Sequence, residues 1–410
     1  MKKWIDIDKL QPGMRIEKID RSWLSTPFFR HRSAGISAER IEQLKACGVR
    51  SVEVVIEDQT VQVEPVVEEK IESEPDHGTD DSIPSTKADG TPPVPFEEEL
   101  PAARQVYKAA KTVIHGAMQD VRLGRAVNMD AVNQVVSDMT ESVFRNPDAL
   151  ASLSRLKRFD EYTFYHSVNT SLLAMSLGRE LGFDQGALHQ IGVGTLLHDI
   201  GKVKIPVEIL NKPGRFEAHE MEIMKQHVMR GVEVLSGTTG LTEIYWKPAM
   251  EHHERVDGSG YPFHRMKDDL SQFGLIAAVV DIYDAITSDR CYHKGRPAHD
   301  ALQYLYLISL KGHLDPDLVQ RFIRVVGVFP VGSVVELNTG EVAVVRRVCR
   351  EAPLEPLIVI VKSAGNMLLS SPLECDLRQQ AESSPRAIAS VQDPHSSGIN
   401  PSVYLDKEPL

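Results

Sequence analysis

The stretch TLLHDIGKVKIP, residues 195–206, sets His198, Asp199 and Lys202 at the end of an apolar run. The residues before it, GALHQIGVG from Gly186, are also apolar on nearly every face, the pattern of a central buried helix rather than a surface one. Ionisable groups in such a place are costly unless they are paired, hydrogen-bonded or bound to a metal. The fold therefore turns on what surrounds this segment, and on which other residues reach it.

Helical periodicity dominates on both sides. ARQVYKAAKTVIHGAMQDV opens a helical region, and EYTFYHSVNTSLLAMSLGRELG follows with Val168, Leu172 and Met175 on one face and Gly182 as its stop. Further helices are read in EAHEMEIMKQHVMRGVEVL, IYWKPAMEHHERV, FGLIAAVVDIYDAITSD, HDALQYLYLISL and DPDLVQRFIRVV. The expected fold class is mainly α: an all-helical domain over 101–330, with a small module at each end. Residues 1–56 read as a small α/β module. The strand-like WIDIDKL and SVEVVIE flank a helix in SAERIEQLKACG, with Ser37 as its cap and Gly48 as its stop. After Pro330 the period changes to two. Hairpins around Asn338-Thr339-Gly340 and within LIVIVKSAGNMLLS predict a small β appendage over 331–375, and a polar tail, 376–410, is expected to be disordered.

Between the first two modules, residues 57–100 hold 14 acidic residues and two lysines, a net of −12 that equals the charge of the whole chain. The rest is balanced, which argues against a DNA- or RNA-binding protein. The composition of 57–100 is that of a flexible acidic linker, read here as a tether for the N-terminal module. The four cysteines, Cys47, Cys291, Cys349 and Cys375, have no CxxC spacing and suggest reduced thiols. No apolar run approaches the ~20 residues a bilayer requires, and no apolar stretch follows the two N-terminal lysines, so neither membrane insertion nor a secretory signal is expected, and a cytoplasmic location is.

Within the helical region, His166, His198-Asp199, His227, His252-His253 and Asp281 fall on core-facing positions. A single buried histidine is more often a hydrogen-bonded core residue, and other histidines of the 15 present show no such pattern. Five helices that each deliver a His, an Asp or a pair are stronger evidence. Imidazole and carboxylate together suit a first-row divalent metal such as Mn, Fe or Zn. Successive helix side chains point about 100° apart, so His198 and Asp199 can flank one ion, or the carboxylate can bridge two.

The segment from about Tyr162 to Val326 resembles the HD-GYP domain proteins of bacteria, within the HD phosphohydrolase group. The motifs that carry the likeness are HDIGK (198–202), ILNKPG (209–214), HHERVDGSGYP (252–262) and VDIYDAITSDR (280–290). Residues 1–56 resemble the small uncharacterised domain that often precedes them. The resemblance implies a cyclic di-GMP phosphodiesterase that yields pGpG or GMP at a dinuclear His/Asp site with a bridging hydroxide. It implies His166, His198, Asp199 and Asp281 around one metal, and His227, His252 and His253 around a second, with Asp199 bridging. Tyr162 stands where some relatives carry a third-metal Glu, so two ions are implied: Fe or Mn first, with Zn, Ni or Mg as alternatives.

In the same reading Lys202 stabilises charge on the phosphate. Arg290 and Lys294 contact the substrate, although Cys291 and His293 depart from the family pattern around them. Lys212 lines the cleft, and Tyr261 either stacks on guanine or stiffens a turn that buttresses His252-His253. A diguanylate cyclase (GGDEF) domain is the implied protein partner. Two alternatives stand beside this reading: a phosphohydrolase for another cyclic dinucleotide, and a non-catalytic nucleotide- or protein-binding module.

Overall fold

The structure is a computed structural model that describes residues 2–11, 14–19, 41, 45, 50–55, 94–153, 162–288, 295–349, 352–380 and 385–405. It divides into two compact units, residues 1–84 and 85–410.

In the first unit, strands β1 (Lys2–Asp6), β2 (Arg15–Ile19) and β3 (Ser51–Val55) form an antiparallel sheet in the order β1-β3-β2. Val52 and Val54 alternate onto one face and are buried with Ile7, Leu10 and Ile41. The helix read between the strands falls outside the described residues except for Ile41 and Lys45, both helical. Lys45 pairs with Asp8 at 3.1 Å. Strand β2 was not read from the sequence: its RIEKI alternates too briefly to separate from its surroundings.

The second unit is mainly α. Helices α1 (Phe96–Arg122), α2 (Met129–Arg145) and α3 (Pro147–Leu153) precede the site-bearing α4 (Tyr162–Glu180), α5 (Gln185–Leu196), α6 (Ala218–Ser236), α7 (Glu243–Glu251) and α8 (Gln272–Thr287). Helices α9 (Ala298–Leu310) and α10 (Pro316–Val326) close the bundle. The last five residues of the expected linker belong to α1. Glu97, Glu98 and Glu99 form its first turn, where negative charge suits the helix dipole. Glu99 is buried and accepts hydrogen bonds from Ser142 and, through both oxygens, from Arg145. Net charge misled the sequence reading here, because Glu99 has specific partners. Residues 57–93 lie outside the described part.

The appendage is a five-stranded antiparallel sheet in the order β7-β6-β5-β4-β8, made of β4 (Val334–Leu337), β5 (Val342–Arg347), β6 (Leu357–Lys362), β7 (Leu368–Asp376) and β8 (Ile388–Gln392). The predicted Asn338-Thr339-Gly340 turn joins β4 to β5, with Gly340 at φ 79°. The expectation of a disordered tail from 376 is corrected. Strand β8 pairs with β4, and Ile399 is buried against Val334, Val344 and Val361. A polar strand at the edge of a sheet needs only one apolar face, so composition alone does not reveal it. No helix among the described residues is long and apolar enough to cross a membrane.

Candidate metal centre

The α5 helix ends at Leu196, and His198 and Asp199 lie in the junction before a 3-10 turn, Ile200–Lys204. The two are therefore not neighbours on an α-helix, as the sequence spacing suggested. A 3-10 turn holds about three residues, which brings side chains three apart into register. Lys202 thus stands over Asp199, and its ammonium donates to Asp199 Oδ2 at 2.5 Å. The turn packs tightly on α6: a Cβ on Gly201 would lie 2.0 Å from the His227 carbonyl oxygen and 2.4 Å from the Gly231 nitrogen.

Around this junction the fold gathers His166 from α4, His227 from α6, His252 and His253 from the turn that ends α7, and Asp281 from α8. His166, His198, Asp199, His227 and His252 are at most 2% exposed, and Asp281 is 7% exposed. The two oxygens of Asp199 face different partners. Oδ2 lies 3.5 Å from His166 Nε2 and 3.4 Å from His198 Nε2, while Asp281 Oδ1 is 3.0 Å from the same His166 nitrogen. Oδ1 lies 3.5 Å from His227 Nε2 and 3.9 Å from His252 Nε2. His253 completes the second group, its ring centroid 4.0 Å from that of His252 and 5.0 Å from that of His227.

Hydrogen bonds on the far side of each ring fix the tautomers. His198 Nδ1 donates to the Thr195 carbonyl at 2.7 Å and His227 Nδ1 to the Met224 carbonyl at 2.7 Å. His252 Nδ1 donates to the carbonyls of Pro248 and Ala249. A carbonyl only accepts, so each Nδ1 carries the proton and each Nε2 turns a lone pair inward. Burial lowers the His227 pKa to about 4 and that of His252 to about 3, which keeps both neutral. Their Nε2 atoms are nonetheless 3.4 Å apart and both face Asp199 Oδ1. Three acceptors thus converge with no proton among them. His198 Nε2 and Asp199 Oδ1 are buried without a hydrogen-bond partner. Such an arrangement is repulsive unless a cation lies within it, and imidazole with carboxylate is the donor set of a divalent transition metal. The residues fit a metal.

The carboxylates are anionic, and for them burial works in the opposite direction. Burial by itself would raise Asp199, but Lys202 and the surrounding imidazoles hold it well below the usual carboxylate range. Burial likewise opposes the ionisation of Asp281, and the hydrogen bond from His166 and the nearby imidazoles outweigh it, holding it well below the usual carboxylate range. His166 differs from the others. Burial draws its pKa down, yet hydrogen bonds to Asp281 and Asp284 raise it to about 9.

Asp284 was missed in the sequence, although it lies one turn after Asp281 on the same helix face. It receives His166 Nδ1 at 2.8 Å and Asn169 Nδ2 at 3.1 Å, and Tyr107 donates to Asn169 at 2.9 Å. This buried chain orients the His166 ring. Glu251 and Glu254 were missed as well, because a carboxylate next to a His pair reads as a further ligand or a surface charge. Glu251 accepts from Arg265 and from the Ser271 backbone. Glu254 accepts the backbone N–H groups of Phe263 at 2.7 Å and Arg265 at 3.2 Å, pinning the far end of the DGSGYP loop.

That loop folds back on the site. Gly258 turns it at φ 75°, and a Cβ on Gly260 would lie 2.4 Å from Glu254 Cα. The Tyr261 ring then stacks on His253 with centroids 4.6 Å apart. This is the contact that a buttress for His252-His253 requires. Glu254→Ala should leave two backbone donors unpaired and cost about 2–3 kcal/mol. Chemical denaturation checks this, and an unchanged midpoint would mean that the loop is held by other contacts.

The Lys212 ammonium donates to Glu220 at 2.5 Å and lies 3.9 Å from Glu217. Arg290, Lys294 and the Tyr162 side chain fall outside the described residues.

A helical bundle with this His/Asp set is the hallmark of an HD-type metal-binding domain. A family model described as HD domain matches residues 135–318. A domain of unknown function (DUF3391) matches 2–132, and a KOW domain associated with HD domain matches 334–390. The chain is 32% identical over 367 residues to a cyclic di-GMP phosphodiesterase of Pseudomonas aeruginosa, covering 89% of this chain and 86% of that protein. It is 33% identical over 203 residues to a cyclic di-GMP phosphodiesterase response regulator of Xanthomonas campestris, 49% of this chain and 53% of the relative. It is also 37% identical over 161 residues to a 3'3'-cGAMP-specific phosphodiesterase of Vibrio cholerae, 39% of this chain and 30% of the relative. The chain belongs to the HD-GYP family of HD-domain proteins.

Proposed function

We propose that this protein is a metal-dependent phosphodiesterase that hydrolyses cyclic di-GMP to pGpG and GMP through two divalent ions, Fe or Mn. The observation that carries the reading is the division of Asp199 between two sets of inward-facing imidazole nitrogens. His166, His198, Asp281 and Asp199 Oδ2 would hold one ion, and His227, His252, His253 and Asp199 Oδ1 the other. When bound, such ions supply Lewis acidity at the phosphate and a water activated for attack.

The chain's own residues do the rest. The carbonyl-anchored imidazoles keep their lone pairs aimed inward, so little reorganisation is needed. The Asp284 chain fixes the His166 ring. Lys202, 23% exposed, keeps a positive charge at the mouth of the site, where an entering phosphodiester would meet it. Arg290 and Lys294 are proposed to contact the substrate's phosphates or guanine edges, for which Arg is suited by its forked donors.

The names of the Pseudomonas and Xanthomonas relatives support cyclic di-GMP as the substrate. The Vibrio relative favours a second reading, a different cyclic dinucleotide. Anaerobic purification with metal quantification, followed by product analysis on cyclic di-GMP and 3'3'-cGAMP in parallel, separates the two. A protein that carries two equivalents of metal and hydrolyses neither would overturn both.

Lys202→Ala is expected to keep its metal and lose about 10²–10³-fold in turnover, the cost of removing one preorganised charge. If metal content falls with it, Lys202 is part of the binding set rather than a charge stabiliser.

A further inference from the structure

Four side chains at most 2% exposed run in line from α1 to the metal centre. Tyr107 Oη donates to Asn169 Oδ1 at 2.9 Å, Asn169 Nδ2 donates to Asp284 Oδ1 at 3.1 Å, and His166 Nδ1 donates to Asp284 Oδ2 at 2.8 Å. The bonds have a direction, since an amide offers one acceptor oxygen and a donor NH2, and a carboxylate accepts. Turned over, the Asn169 amide would set its oxygen against Asp284 Oδ1. Burial, with the Asp284 charge nearby, raises the Tyr107 pKa well above the usual phenol range, so the hydroxyl keeps its proton. The anchor of His166 differs in kind from those of His198, His227 and His252. These three donate to carbonyls three or four residues earlier in their own segments, so the local turn sets them. His166 is set by Asp284, 118 residues later, in a chain that starts on α1. Helix α1 holds this half of the centre at two further points. Lys111, one turn after Tyr107, donates at 2.7 Å to the hydroxyl of Tyr165, the residue before His166. At the far end of α1 the Val121 carbonyl accepts at 3.1 Å from Lys204, on the 3-10 turn that follows Asp199. Yet α1 lies outside the HD-domain match, which begins at residue 135, and within the stretch matched by the domain of unknown function.

We infer that Tyr107 is a positioning residue for one ion of the pair: through Asn169 and Asp284 it aims His166, so that α1 governs how tightly the His166–His198–Asp281 ion is held and leaves the His227–His252–His253 ion unaffected. The inference rests on the two-ion reading, and adds to it a control point supplied from outside the HD-domain match. Loss of the Tyr107 hydroxyl takes a donor from the buried Asn169 oxygen, and a buried amide short of a partner turns to find one. Rotation of Asn169 draws its donor away from Asp284, and the His166 ring loses its fixed aim. The carbonyl anchors of His227 and His252 are untouched by this change.

Calorimetric titration of the metal-free full-length protein with Mn(II) tests this without any turnover. Wild type should bind two equivalents. Tyr107→Phe, which removes one oxygen and keeps the ring, should hold one ion at wild-type affinity and the other about 10–100-fold more weakly, the usual effect of losing a partner behind a metal-ligating histidine. EPR should then show isolated ions in the variant at Mn(II) levels that pair them in wild type. Asn169→Ala should give the same pattern. The double variant should weaken that ion no further than Asn169→Ala alone, because the two side chains act in series. Ile114→Val, a truncation elsewhere on the buried face of α1, should lower the denaturation midpoint and leave both affinities unchanged. Three results overturn the inference: wild-type affinity for both ions in Tyr107→Phe; both ions weakened alike, which would make Tyr107 a packing residue; or a double variant whose losses add. A wild type that binds a single equivalent overturns the two-ion reading instead. Tyr107→Phe must then weaken that ion, and equal affinity would overturn the inference as well.

Discussion

Asp199→Ala should lose at least about 10³-fold in phosphodiesterase turnover, together with most of the bound metal. Each carboxylate oxygen faces a different set of imidazole nitrogens, at 3.4–3.5 Å on one side and 3.5–3.9 Å on the other. Truncation to a methyl group would remove an anion from both sets at once. It would also leave the half-buried Lys202 ammonium without its carboxylate, adding positive charge where cations must bind. Asp199→Asn separates charge from volume. It keeps the shape and should still lose metal, because an amide presents one acceptor and one donor where two acceptors are required. Metal quantification by mass spectrometry alongside turnover reads both effects. An Asp199→Ala protein that retains its full metal content would refute the division of the carboxylate between two sets.

Among the described glycines, Gly201→Ala is expected to be the most damaging substitution by alanine, with a loss of about 3 kcal/mol or more of stability. The added Cβ would meet only backbone atoms, 2.0 Å from the His227 carbonyl oxygen and 2.4 Å from the Gly231 nitrogen. No rotamer change relieves such an overlap. The 3-10 turn and α6 must separate, and His227 moves with α6, away from Asp199. Chemical denaturation should show a lower midpoint at unchanged slope, and the metal content of the folded fraction should fall. Gly186→Ala serves as the control: the nearest atom to its Cβ would be the Asp184 side chain at 3.5 Å, and it should cost little. Equal stabilities for the two variants would mean that the turn tolerates a side chain and that the glycine of the HDIGK motif has another role.

Much of this protein was legible in the sequence because its signals are local. Helical periodicity located the bundle, and a period of two located the hairpins of the appendage. The seven metal-centre positions stood out because ionisable residues at apolar, core-facing positions need an explanation. Other features depend on contacts between residues far apart in the chain, and only the tertiary structure decided them. Asp284 matters because it receives His166, 118 residues away. Glu254 gains its role from a loop that returns to it, and Glu99 from Ser142 and Arg145 on another helix. Strand β8 exists because β4 offers it an open edge 51 to 58 residues earlier. The sequence by itself determined which residue types gather in the core. The fold decided which way each imidazole faces, since a neutral imidazole can donate from either nitrogen and only the position of a backbone carbonyl selects one.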